Sequence, residues 1–218
     1  MNTPIVQLLI LAGIAVFLIL RLRNVLGTRD GYEKPVERTA PGETKRRHDF
    51  EVIDGGPDRD ITDHVETGSE SADALARMKG KEPNFGVADF LQGSRGAYEM
   101  ILMAFERGDL ASIKPFLSSD VYESFAYVVE DREARGLKIE ADFIGVRETQ
   151  LQRASLDSNN MAEIAVRFVG ELTSVVRDSS GEIIEGKPNE IKRQKDVWVF
   201  SRQMGSDDPN WQLVATDE

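Results

Sequence analysis

His48 and His64 are the only imidazoles in this chain of 218 residues, and it has no cysteine. That inventory excludes disulfide frameworks, thiolate metal sites and cysteine nucleophiles, and leaves imidazole acid–base chemistry to two positions. Both lie in a stretch rich in charge, Gly and Pro, where nothing would hold a ring at fixed distance from a nucleophile or a metal. Asp58-x-Asp60-x-x-Asp63 has part of a calcium loop's spacing but lacks the glycine and distal glutamate that complete the wrap. Gly93-Ser94-Arg95-Gly96 has the look of a phosphate cradle, yet no Lys-Ser/Thr follows it, so close helix packing is the better reading. The remaining carboxylates suit a solvated acidic surface. No catalytic residue, metal or cofactor is expected, and the chain reads as a non-enzyme.

What remains is apolar. Of sixteen Phe, Tyr and Trp residues, thirteen lie between Phe85 and Trp211. A curved antiparallel sheet covered by helices often leaves a cavity at its wide end. Tyr98, Phe105, Phe143, Phe168, Trp198 and Phe200 are the candidates to line an apolar pocket there. Each also suits an ordinary interior, so core and pocket remain alternatives at this point.

Three segments would position these side chains. From Pro4 to Leu20 no residue is charged; Phe17 sits in the aliphatic run, and Arg21 and Arg23 end it. Seventeen helical residues cover ~25 Å, which Leu22, Val25 and Leu26 extend toward a ~30 Å hydrocarbon core. The pattern predicts a transmembrane anchor over 1–23, retained because no basic residue precedes the apolar run. Arg21, Arg23 and Arg29 place everything after it on the cytoplasmic side, as a single-pass protein. Residues 24–83 read as a flexible charged linker with a root-mean-square span of roughly 40 to 45 Å, holding a short helix from about Ser69 to Lys79. Residues 84–218 read as one folded domain.

Within that domain the apolar period is first 3.6 and then 2. Asp89 and Gln92 resemble a capping box opening a helix that runs from Phe90 through Phe105 to a stop at Gly108. Gly93 and Gly96 inside it predict close approach of another backbone. A short helix follows Asp109 and a third runs from Ser118 toward Gly136. Strands are expected over Leu137–Glu148, from Met161 onward, over Asp196–Arg202 and over Trp211–Thr216, with turns at Asp157–Asn160 and Ser179–Gly181. In the second strand Ala162, Ile164, Val166, Phe168, Gly170 and Leu172 point one way, leaving the other face wet. The order predicts an α+β fold, helices on one face of a curved antiparallel sheet. From Pro83 onward the formal charge is −9, which excludes a nucleic-acid partner by repulsion between like charges.

The stretch Asp89-Phe90-Leu91-Gln92-Gly93-Ser94-Arg95-Gly96-Ala97-Tyr98, with Gly108-Asp109-Leu110 and Lys114-Pro115-Phe116-Leu117, resembles the opening helices of the Tim44-like domain family. Asp196-Val197-Trp198-Val199-Phe200 and Asp208-Pro209-Asn210-Trp211-Gln212-Leu213-Val214 resemble its last two strands, and the likeness runs from about Asn84 to Thr216. The resemblance implies a cone-shaped fold of the nuclear transport factor 2 type. It also implies a bacterial, membrane-anchored adaptor of the TimA type at the inner membrane, with a membrane-protein or chaperone partner. Lipid or another apolar ligand in the cone is the alternative it leaves open. This chain departs from the mitochondrial form in having its own apolar N-terminal segment and only a short tether, which puts chaperone recruitment in doubt.

Overall fold

The structure, a computed structural model, describes residues 58–217. Pro4, Phe17, Leu20, Arg21 and Arg23 of the expected anchor lie outside the described residues, as does His48. Among the described residues no helix is long and apolar enough to cross a membrane. The chain forms α1 (Arg59–Thr62), α2 (Glu70–Lys81), α3 (Val87–Arg107), α4 (Leu110–Ile113), a 3-10 turn (Lys114–Phe116) and α5 (Ser119–Ala134). Then follow β1 (Lys138–Leu156), β2 (Met161–Arg177), β3 (Ile183–Glu185), β4 (Ile191–Gln203) and β5 (Gln212–Asp217). The strands make an antiparallel sheet ordered β1-β2-β4-β5, with β3 also paired to β2. This is the expected α+β arrangement of helices against a curved antiparallel sheet.

The linker was expected to reach residue 83, but residues 58–82 belong to the folded domain. Ile61, Ala72, Ala74, Leu75 and Met78 are buried in the common core, and Leu75 and Met78 are fully so. Charge and small residues dominate this stretch, so composition alone resembles a coil. The apolar stripe of α2 becomes visible as core only where β1 lies against it, with Ser71 Oγ accepting from Ala154 N at 3.0 Å and Arg77 Nη2 donating to Leu156 O at 2.8 Å.

Asp60, a member of the calcium-like triad, closes this segment onto α3. Its carboxylate accepts from Lys79 Nζ at 2.7 Å and from the N–H groups of Val87 and Ala88 at 2.8 and 2.9 Å. Those two amides are orphan donors of the first turn of α3. Asp58 caps α1 and shares Lys79 at 2.7 Å. The expected capping box is therefore replaced: α3 starts at Val87 with Gly86 at the cap position and no cap from its own side chains. A carboxylate from 27 residues upstream does the work. His64, expected in a mobile tether, is half-buried in the turn after α1.

At the other end of α3, Gly108 takes a left-handed φ of 75° and returns its amide to Phe105 O, the stop read from sequence. Gly93 and Gly96 do not have the expected reason. A Cβ built on either would meet nothing within 4 Å, so no backbone approaches this face of the helix.

On β2 the alternation holds for Ala162, Ile164, Val166 and Phe168, all at 0% exposure on the helix side. The opposite face is less wet than its sequence suggests. Ala165, Val169 and Glu171 are buried there too, because Arg147 and Arg193 fold over Glu171 at 2.8 and 3.0 Å and cover the face with their aliphatic stems. β1 runs to Leu156 instead of Glu148. Register shifts at Phe143/Gly145, Val146/Glu148 and Leu151/Arg153 break its period of two, so simple alternation loses it. β4 likewise starts at Ile191, five residues early, because its polar opening Lys192–Lys195 is held by pairing with Val169–Leu172.

Burial pushes the Asp60 carboxyl up, but Lys79 and the two amides outweigh it and set it at about 2, below the ordinary 3.8. Its contribution is present above about pH 4 and is lost as pH falls toward 2. Asp60→Ala should lower unfolding free energy by about 2 kcal/mol at pH 7 in urea titrations, and the gap to the parent should close in acid. Gly96→Ala, on an open helix face, should raise stability by about 0.5 to 1 kcal/mol in the same assay.

Candidate functional site

The six aromatics singled out from sequence do not together line a pocket. Tyr98 and Phe168 are fully buried, and Trp198 and Phe200 nearly so. The Tyr98 ring stacks on Phe168 with centroids 4.5 Å apart and an interplanar angle of 19°, and lies 4.7 Å from Trp198 and 6.2 Å from half-buried Phe143. These rings are core. Phe105 lies apart, in the last two turns of α3, packed 4.5 Å from Phe125.

The Tyr98 ring reaches across the sheet because Gly170 faces it: a Cβ there would lie 2.9 Å from the hydroxyl and 3.1 Å from the ring. The hydroxyl donates to Asp196 Oδ2 at 2.5 Å, and Gln194 Nε2 donates to Oδ1 at 3.0 Å. Burial, then the Asp196 carboxylate, hold the phenol far above its ordinary value, so it stays a donor at any physiological pH. A buried carboxylate with both oxygens engaged satisfies the interior's polar accounting. It offers no route to solvent for a substrate.

An apolar groove borders this core: Phe200 alone of the six is in its lining, beside Phe85 and Phe90, which are themselves only 8% exposed. A groove of about 520 Å³ runs along the first half of α3. Gly93 and Ala97 form part of its lining, with Phe85, Phe90, Phe116 and Trp211 around them. Phe90 stands 4.7 Å from Trp211 and edge-on to Phe200 at 6.0 Å, so the groove is continuous with the core cluster through one ring. Bare helix at Gly93, where a side chain would find open space, is what gives the groove its depth.

A polar hinge sets the rim. Glu82, just past α2, accepts from Gly205 N at 2.6 Å and pairs with Arg202. Arg202 in turn donates to Pro209 O at 3.2 Å and lies over the Trp211 ring at 5.4 Å. Burial raises the Glu82 carboxyl, but the Gly205 amide and Arg202 outweigh it and keep it below the usual carboxylate range. One ion pair thus holds the β4–β5 loop, and with it Trp211, against the residues before α3. Among the described residues no cluster of His, Asp or Glu could hold a metal ion.

Sequence reasoning missed Phe85, Phe90, Phe116 and Trp211 as neighbours, since 126 positions separate the first from the last. A signal was present in Gly93: a glycine inside a strong helix with no backbone against it marks a surface that must stay low.

Comparison with known proteins adds descent. A family model described as the Tim44-like domain matches residues 71–218, a start inside α2 and upstream of the expected Asn84. The mitochondrial import inner membrane translocase subunit TIM44 of Homo sapiens is 24% identical over 149 residues, covering 67% of this chain and 33% of that protein. Subunit TIM44-1 of Arabidopsis thaliana is 22% identical over 151 residues, covering 66% of this chain and 32% of its own. The chain therefore spans about a third of the length of the curated relatives it matches. The intermembrane space region of the chloroplast protein ARC6 gives a TM-score of 0.39 at 8% identity, over 60% of this chain and 92% of that one.

Gly170→Ala should cost about 1 to 3 kcal/mol in urea denaturation, because the added methyl meets a fully buried ring that cannot retreat. A cost near zero would show that Tyr98 is free to move.

Proposed function

The chain belongs to the Tim44-like domain family, and on that premise we propose that it is a membrane-anchored adaptor. Its apolar N-terminal segment, Pro4 to Leu20 bounded by Arg21 and Arg23, holds the folded domain at the cytoplasmic face of a bacterial inner membrane. The aromatic groove along α3 binds a protein partner there, in the service of protein translocation or of membrane-complex assembly. The observation that carries this reading is the groove itself. It places Phe85, Phe90 and Trp211 around a bare helix face, and aromatic side chains around a depression are the commonest anchors of protein association. The relatives that match are named as translocase subunits, which supports work by contact and not by bond chemistry.

A lipid or other apolar ligand is the second reading, favoured by the same volume of about 520 Å³, within the usual range for small-molecule sites. Native mass spectrometry of the detergent-released chain separates the two: a lipid retained at fixed stoichiometry supports the second reading.

The adaptor reading is tested in cells with a photoreactive amino acid at Trp211 of the full chain. Crosslinks to an integral membrane protein are expected, and Gly93→Leu, whose Cβ would meet nothing within 4 Å and whose side chain would occupy the groove, should remove most of them while the thermal midpoint stays within a few degrees. Crosslinks undiminished by Gly93→Leu would refute the groove as the contact. Alkaline carbonate should leave the chain in the membrane pellet; its release would refute the anchor.

A further inference from the structure

At the opposite end of α3 a second cavity, of about 400 Å³, opens between that helix, α5 and the strands. Leu137, Ile139, Leu172, Val176 and Ile184 give it aliphatic walls. Most of its charged lining is spoken for: Arg135 pairs with Asp131 at 3.2 Å, and Lys192 with Glu185 at 3.7 Å. Arg132 is different. Its guanidinium lies 4.5 Å over the ring of Phe105, and its Nη1 is buried with no acceptor among the described residues.

A guanidinium laid on an aromatic ring keeps its edge donors directed outward in a planar fork, the geometry that receives an oxyanion. A half-buried guanidinium facing aliphatic walls rewards an arriving carboxylate with a charge-assisted hydrogen bond in partly desolvated surroundings. Glu106 lines the same cavity. Burial pushes its carboxyl above the usual range despite the opposing pull of Arg132 and Lys192, with Glu185 pushing the same way.

We infer that this cavity binds a monocarboxylate carried on an aliphatic body, its carboxylate paired with the half-buried Arg132 guanidinium that lines the cavity and its body lying among Leu137, Ile139, Leu172 and Val176. Among the described residues Arg132 makes no ion pair, and one such guanidinium matches one negative charge. A phosphate dianion would bring a second charge beside Glu106, Asp131 and Glu185 with no further cation to meet it. A neutral amide or alcohol would fill the walls and gain no charge-assisted bond from the guanidinium. The same chemistry is presented by a short branched fatty acid and by the free end of a polypeptide whose last residue is aliphatic. The inference is independent of the adaptor reading, since it concerns a different cavity.

Isothermal titration calorimetry on the full chain in a neutral detergent tests it, with 4-methylpentanoate, 4-methylpentanamide and inorganic phosphate as probes. Saturable one-site binding of the carboxylate is expected, at least about tenfold tighter than the amide, with no saturable heat from phosphate. Arg132→Gln should weaken the carboxylate at least about tenfold. Ile139→Trp, which fills the wall and leaves Arg132 in place, should remove binding, and it keeps the test valid if Arg132→Gln fails to fold. Acetyl-Ala-Ala-Leu compared with its C-terminal amide distinguishes the sources. Free-acid peptide binding tighter than 4-methylpentanoate assigns a polypeptide end, and weaker binding assigns a free acid. Equal affinity for carboxylate and amide, undiminished binding by Arg132→Gln, preferential binding of phosphate, or no saturable heat at all would each overturn the inference.

Discussion

An antiparallel sheet with helices on one side must bury its apolar face under something continuous, and here a single helix of 21 residues supplies the centre of that cover. The contact is fixed at its middle by Tyr98, which lies flat on Phe168, fits over Gly170 and ends in a hydrogen bond to Asp196. Apolar packing alone has no preferred rotation about the helix axis. A buried donor that must reach one acceptor does, because missing it leaves a carboxylate unsatisfied in the interior. With the middle of α3 set in this way, its first half is held against the aromatics of the β4–β5 side and its last turns against α5. The groove along its first half and the cavity against α5 both follow from how far the helix extends beyond that central bond.

The N-terminal helices extend the same logic to the edge of the sheet. β1 is an edge strand, and an exposed row of backbone donors and acceptors invites unwanted pairing. Ser71, Arg77 and Arg95 take up Ala154 N, Leu156 O and Val146 O in turn, so helices α2 and α3 cap the edge with side chains. Asp60 then ties α1, α2 and the start of α3 into one unit through Lys79 and two amides. The three bulges of β1 add local twist along this edge.

The charges follow a similar division. Although the part from Pro83 onward has a formal charge of −9, the sheet face away from the helices concentrates Arg147, Arg167 and Arg193 against Glu148 and Glu171. These pairs are half in water and add little stability each. Their larger effect is to shield Val169 and Ala165 with aliphatic stems. One apolar depression that stays open is the groove lined by Phe85, Phe90 and Trp211, where Gly93 has no side chain to fill it.

The sequence by itself determined the class of this domain, since a change of apolar period from 3.6 to 2 and the turn residues at Gly108 and Asp157–Asn160 are local properties of the chain. The run Asp89–Tyr98 carried the family for the same reason. Tertiary structure alone decided that residues 58–82 are folded, because their stripe of Ala and Leu has value only against β1. It also decided that Asp60 and not Asp89 caps α3, and that bulges carry β1 past Glu148. The site divides in the same way: that aromatics would matter was legible, but which of them are core and which are open was not. Tyr98, Phe168 and Trp198 became interior when β2 and β4 paired, whereas Phe85 and Trp211 became neighbours through an ion pair between Glu82 and Arg202. Such contacts join positions more than a hundred residues apart, and no local pattern in one chain encodes them.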